Sequence, residues 1–232
     1  PHSERPAALA TRILTLPNVQ GRVAARARDL LMTLFPRKFI SREANETARY
    51  LMKRALPVYF WDGMKNFGDE IGPMIVARET GRPVVNARHL WVTPKTTYCT
   101  VGSLLHSLSV PNAVVWGSGF PEDVVAEGLR PPQDPKELRS VRGPLSGAQA
   151  EKLGWGDPGL YGDPGLLMPI YLPGASKAGD APLVIPHFRF AERHMTALSS
   201  EIICPPWSEI ETMVARISSA RFIISSSLHG II

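Results

Sequence analysis

The sequence predicts an α/β chain in which a parallel sheet is covered by helices. Three observations carry that prediction. From Pro57 onward, short apolar runs rich in β-branched and aromatic residues alternate with helical stretches. Most of these runs stop at a polar turn bearing glycine, serine or aspartate. Prolines number 22 in 232 residues and are scattered, which suits loops between many short elements.

Residues 1–20 show no clean period. From Arg22 to Phe35, Val23, Ala27, Leu30, Leu31, Leu34 and Phe35 fall on one helical face, and Pro36 ends the element. The plain reading is a surface helix docked on the domain. The sharper one is a basic amphipathic helix resting on anionic lipid, a peripheral membrane contact through residues 22–38.

Residues 58–61 read as a strand, followed by the turn Asn66-Phe67-Gly68-Asp69 and a helix to about Glu79. Residues 83–86 and 97–101 read as strands, the second opening through Gly102-Ser103 into residues 104–108. Residues 113–116 form a strand that stops at Gly117-Ser118-Gly119. Residues 137–141 lead into Arg142-Gly143-Pro144 and a helix over 145–153. Residues 160–161 then run into Gly162-Asp163-Pro164-Gly165.

Residues 171–182 are rich in Pro, Gly, Ser and Ala and are the best interdomain linker. They divide the chain into a basic extension over 1–56, one unit over 57–175 and another over 176–232. In the last unit, residues 183–185, 201–204 and 221–224 read as strands. The clearest helix runs from Ser208 to about Ser219, with Ser208 and Glu211 as a capping box. The final strand breaks at Ser225-Ser226-Ser227-Leu228-His229-Gly230.

Composition narrows the function classes. The apolar fraction is 44% and the charged fraction 20%, ordinary for a folded protein. The net charge of +5 belongs to the first quarter, where residues 1–56 hold 11 Lys/Arg against 4 Asp/Glu. Beyond it no strongly basic stripe appears, which argues against a nucleic-acid partner. Cys99 and Cys204 lie far apart and neither sits in a CxxC pair. A disulfide scaffold is excluded and a reducing, cytoplasmic setting is expected. No ligand spacing supports a metal. No apolar run approaches the roughly 18 residues of a spanning helix, and no signal-peptide pattern opens the chain. It begins with Pro1, so the natural N-terminus is expected to lie upstream.

In parallel sheets, ligands gather beyond the carboxyl ends of strands, where the polar turns fall. Gly68 permits close backbone approach and Asn66 can donate to a hydroxyl or phosphate, although an Asp69 N-cap beside a turn glycine explains the segment as well. Gly117-Ser118-Gly119 lacks the third glycine of a dinucleotide fingerprint, because Glu122 stands there. Arg142 sits on the ligand-facing edge, where a guanidinium grips carboxylate or phosphate with two parallel bonds. Asp163 closes a turn or orients a neighbouring base. His187 ends a strand and is either an acid or a loop histidine bonded to backbone. The Ser225–Gly230 segment is the most informative cluster: hydroxyls, amides and an imidazole together make a phosphate cradle.

The ordered set Asn66-Phe67-Gly68-Asp69, Gly102-Ser103, Gly117-Ser118-Gly119, Arg142-Gly143-Pro144, Gly162-Asp163-Pro164 and Ser226-Ser227-Leu228-His229-Gly230 resembles the polysaccharide pyruvyl transferase family. The context Val115-Trp116-Gly117-Ser118-Gly119-Phe120 is similar to its exopolysaccharide glucosyl ketal-pyruvate transferase branch. The resemblance runs from about Pro57 to the last residue. It implies two Rossmann-like units as in two-domain (GT-B) glycosyltransferases. Relatives continue well past the Leu-His-Gly motif, so the second unit is expected to be truncated in this chain.

The implied activity is transfer of the pyruvyl group of phosphoenolpyruvate to a sugar of an exopolysaccharide or its lipid-linked precursor, with phosphate released and no cofactor. The reaction is expected at the inner face of the membrane. His229 then contacts the donor phosphate or delivers a proton, Arg142 clamps the donor, and Ser226, Ser227 and Gly230 complete the cradle. Asn66 and Asp69 face the acceptor, Asp69 as base, with Gly68, Gly117, Ser118, Gly119 and Asp163 shaping the site and His187 a second acid–base group. Alternatives are a nucleotide-sugar glycosyltransferase of similar fold and a degenerate, non-catalytic glycan-binding relative.

Overall fold

The computed structural model describes residues 41–232 apart from 122, 124 and 175–178. The helix expected over 22–35, and with it the lipid contact through 22–38, lies outside these residues.

The first described element is helix α1 (Arg42–Lys53), where Ser41 accepts the Ala44 N–H at 3.3 Å, the bond that makes serine a favoured N-cap. It ends in the left-handed conformation at Arg54. Buried Thr47 accepts the Trp91 N–H at 3.0 Å and anchors α1 to the unit that follows.

Five strands then form one parallel sheet: β1 (Leu56–Val58), β2 (Val84–Asn86), β3 (Thr97–Cys99), β4 (Ala113–Trp116) and β5 (Glu137–Ser140). Their order is β2-β1-β3-β4-β5. The expected parallel sheet is present, and its order reverses between β1 and β3. The chain leaves β1 toward one side and β3 toward the other, so the loops after these strands splay apart and open a crevice.

Helix α2 (Phe67–Thr80) follows β1 and helix α3 (Pro144–Lys152) follows β5, with Pro144 in the first turn where no amide is needed. After a short helix α4 (Met168–Tyr171), β6 (Pro182–Ile185) and β7 (Phe222–Ser225) pair in parallel as a second sheet. Helices α5 (Ala191–Met195) and α6 (Ile210–Ser219) lie between them in the chain.

Two expectations need correction. Residues 201–204 form no strand; only Ile203 bridges Val184. Cys204 donates to Val184, but Pro205 and Pro206 follow and have no N–H to extend the ladder. The capping box at Ser208 and Glu211 is absent as well. Helix α6 begins two residues later, its N-cap position Glu209 makes no capping bond, and the Glu209 carboxylate instead pairs with Lys65.

The second core explains why α2 shows no single apolar face in the sequence. Val76 packs with Leu56 and Val58 of the first sheet. Phe67, Ile71 and Ile75 pack with Leu183 and Ile185 of the second sheet and with Ile210 and Met213 of α6. A helix buried on two sides needs apolar residues nearly all round. Helix α2 thus joins the two sheets, and its N-terminus is held against the loop after β7.

Candidate functional site

The crevice between β1 and β3 is where the expected residues converge. Asn66 caps α2: its Oδ1 accepts the Gly68 N–H at 3.2 Å while its Nδ2 donates to Asp69 Oδ2 at 2.9 Å. Asn66, not Asp69, is therefore the cap, and the Asp69 carboxylate is turned inward. Burial pushes its pKa up to about 6, against the opposing pull of the His229 charge and the Asn66 hydrogen bond, with Glu70 adding a smaller upward push.

His229 stands in the single turn Leu228–Gly230 that follows β7. Its ring lies directly on Gly68: a β-carbon there would collide with Nδ1. The ring meets Phe67 edge-on at 6.5 Å between centroids. Its Nε2 faces Asp163 Oδ2 at 3.5 Å, with the two side chains 10% and 4% exposed. Both atoms are buried, and at that separation neither completes a hydrogen bond among the described residues. The other Asp163 oxygen, Oδ1, accepts the Gly165 N–H at 2.8 Å and starts the turn Pro164–Leu167.

Gly68→Ala is expected to displace the imidazole by about an ångström while α2 still forms. In an enzyme that uses this imidazole as a reacting group, a shift of that size would lower turnover on the order of 100-fold. Steady-state kinetics beside a thermal melt checks this; a fully active, stable variant contradicts the packing.

Arg142 leaves β5 just ahead of α3. Its Nη2 donates to Ser103 Oγ at 2.7 Å and to the Phe120 carbonyl at 3.2 Å. The guanidinium lies across Gly119, where a β-carbon would come within 2.7 Å of Nη2. Burial lowers the Arg142 pKa, and the nearby Asp163 carboxylate opposes this. Ser118 is fully buried and its hydroxyl donates to the Gly102 carbonyl at 2.8 Å, tying the loops after β3 and β4 together. Gly117, at φ +91°, packs on Pro164. Thus Gly117, Ser118 and Gly119 shape the wall behind Arg142.

Carboxyl and nitrogen-bearing side chains alternate here: Asp69, His229, Asp163, Arg142. Asp69 is electrostatically linked to His229 and Arg142 to Asp163, and His229 faces Asp163 at 3.5 Å. They come from α2, from the loop after β7, from the turn at 163 and from the end of β5.

His187 and Ser226 stand together beyond this row. The Ser226 hydroxyl accepts the His187 N–H at 2.8 Å. The His187 ring sits 4.3 Å from that of Phe188, which is 5.5 Å from Trp61. Partial burial and Arg189 hold the His187 pKa below its ordinary value. The Ser226 amide donates to Ile185 and the Ser227 amide to Ser225 Oγ, so both are spent inside the loop. Gly230 fits tightly against Ser225 and Ile185.

Ser103 and Ser146 are absent from the expected site residues. Ser103 holds Arg142, and its signal in the sequence is the Gly102-Ser103 pair directly after a strand. Ser146 accepts the Phe120 N–H at 3.3 Å from inside α3, a contact without a local sequence signal. Among the described residues, no three His, Cys, Asp or Glu side chains gather to hold a metal ion, and no helix is long and apolar enough to cross a membrane.

A family model described as polysaccharide pyruvyl transferase matches residues 111–232, more than half the chain. The match includes Arg142, Asp163 and His229; Asn66, Gly68 and Asp69 precede it. No curated protein and no solved structure matches the chain.

Proposed function

The chain belongs to the polysaccharide pyruvyl transferase family, and from that premise we propose that it moves the pyruvyl group of phosphoenolpyruvate onto a sugar of an exopolysaccharide or its lipid-linked precursor, closing a cyclic ketal and releasing phosphate. The observation that carries this reading is the convergence of the half-buried Arg142 guanidinium and the His229 imidazole on Asp163. A donor bearing both a carboxylate and a phosphate needs such a pair.

The chemistry distributes over these residues. One acceptor hydroxyl adds to C2 of the donor, its proton leaving for a base while C3 gains a proton. The second hydroxyl then displaces phosphate from C2, its proton leaving with the phosphate. Neither partner is oxidised or reduced, so the reaction calls for no redox cofactor. Arg142 grips the donor's anionic groups, with its Nη2 already steadied by Ser103. His229 contacts the phosphate or delivers the proton. With the Ser226 and Ser227 amides engaged in their own loop, the anions fall mainly to these two side chains. Asp69, with a pKa of about 6, is the base for the acceptor hydroxyl, and Asn66 orients it.

We read the two parallel sheets as the Rossmann-like units of a GT-B-like arrangement, with the donor in the crevice between β1 and β3, which the loop after β7 also reaches. A lipid-linked acceptor places the reaction at the inner face of the membrane, with residues 22–38 as the contact.

Incubation with phosphoenolpyruvate and a panel of lipid-linked oligosaccharides tests the activity. Phosphate release matched by a mass gain of one pyruvyl group is expected. Turnover of a UDP-sugar with none of phosphoenolpyruvate contradicts it.

The pH profile tests the base. Asp69 acts only when ionised, and its raised pKa puts proton uptake near pH 6, so activity falls by up to tenfold per pH unit below that point. The donor phosphate titrates nearby, so Asp69→Asn is the control: it lowers the plateau and removes the contribution of this group. An unchanged plateau and profile in that variant contradict the role.

A further inference from the structure

We propose that Asp163 is a positioning residue: by accepting from Nε2–H of His229 it fixes the tautomer and the orientation of the imidazole, whose Nδ1 packs beside Gly68. The tautomer part of this proposal stands on geometry alone, and only its kinetic part rests on the function proposed above.

The argument begins from the orphaned atoms. Nε2 of His229 and Oδ2 of Asp163 are both buried, stand 3.5 Å apart, and complete no hydrogen bond among the described residues. Leaving two such atoms unpaired costs stability. A bond between them removes both penalties, and catalytic bonds that are long in an empty site commonly shorten once substrate binds. Asp163 has nowhere else to turn. Its Oδ1 is taken by the Gly165 N–H at 2.8 Å, which fixes the carboxylate plane. His229 is equally confined, with Gly68 against Nδ1 and Phe67 edge-on to the ring.

A carboxylate only accepts. It therefore demands hydrogen on Nε2, and in neutral imidazole Nδ1 is then an acceptor. On the Gly68 side stands Asp69, coupled electrostatically to His229. A protonated His229 thus has Asp163 on one nitrogen and the α2 N-terminal edge, where the acceptor is proposed to sit, on the other. Arg142 lies on the far side of Asp163 and shares its charge.

This geometry makes an unusual prediction for Asp163→Asn. The Gly165 N–H still requires an acceptor, so the new amide must present its oxygen there. Its NH2 is then forced into the place of Oδ2, facing Nε2. A donor at that place favours the opposite tautomer, with hydrogen on Nδ1.

Long-range 1H–15N correlation NMR of the 15N-labelled protein above pH 8 reads the tautomer directly, with His229→Gln used to identify the signal. The wild type is expected to carry Nε2–H and Asp163→Asn to carry Nδ1–H. Nδ1–H in the wild type, or the same tautomer in both proteins, overturns the proposal. The wild-type spectrum decides the matter even if Asp163→Asn folds poorly.

The kinetic counterpart is a kcat lower by roughly 10²- to 10⁴-fold in Asp163→Asn, with KM for phosphoenolpyruvate changed less than about threefold. A loss confined to KM, with kcat intact, overturns the positioning role. If the wild type turns over no phosphoenolpyruvate, the donor assignment fails while the tautomer result still stands or falls by itself.

Discussion

His229→Ala is expected to lower phosphate release from phosphoenolpyruvate by about 10³-fold, within the range general acid–base groups contribute. In activation free energy this is about 4 kcal/mol. The ring is the group through which α2, the loop after β7 and the turn at 163 meet. Its loss removes the group proposed to contact the phosphate or deliver the proton, and leaves the buried Asp163 carboxylate facing a cavity. Part of the effect would then be structural, so His229→Gln serves as the companion: it keeps most of the volume and a donor toward Asp163 but cannot carry a proton. Both variants are expected to be inactive, with the glutamine form melting closer to wild type. Turnover within tenfold of wild type in His229→Gln removes this residue from the chemistry.

Arg142→Ala is expected to raise KM for phosphoenolpyruvate by about 10²-fold or more. Truncating one partner of a buried, charged hydrogen-bonding group costs about 2–5 kcal/mol. Here the guanidinium is held by Ser103 and by the Phe120 carbonyl across a glycine that leaves it room. Arg142→Lys is expected to restore little. An ammonium is a point charge and cannot make two parallel bonds to a carboxylate or phosphate. Calorimetric titration of each variant with phosphoenolpyruvate separates binding from chemistry. Donor affinity in Arg142→Ala equal to that of the wild type contradicts the clamp.

Local order was legible where a rule acts within a few residues. The strand Ala113–Trp116 follows from its apolar run and the glycine that stops it. Helix α3 begins at Pro144 because proline suits a first turn. The polar turns were legible as site material because those at Gly102, Gly117, Arg142 and Ser226 follow closely on strands of parallel sheets. What escaped was set by contacts between distant segments. Residues 201–204 have the composition of a strand, but Pro205 and Pro206 halt the ladder. Glu209 is drawn to Lys65, and α6 starts late without a capping box. The 3.5 Å approach of Asp163 to His229 joins two turns distant in the chain, and no local period encodes it. Ser103 beneath Arg142 is of the same kind. Gly68 and Gly119 read as turn residues, whereas at each the neighbouring imidazole or guanidinium takes the space of a side chain.

A crystal structure with phosphoenolpyruvate bound is the most direct measurement. The account predicts the donor in the crevice between β1 and β3, its anionic groups within hydrogen-bonding distance of Arg142 and the His229 imidazole. Donor density in another part of the molecule, out of reach of both side chains, would contradict it.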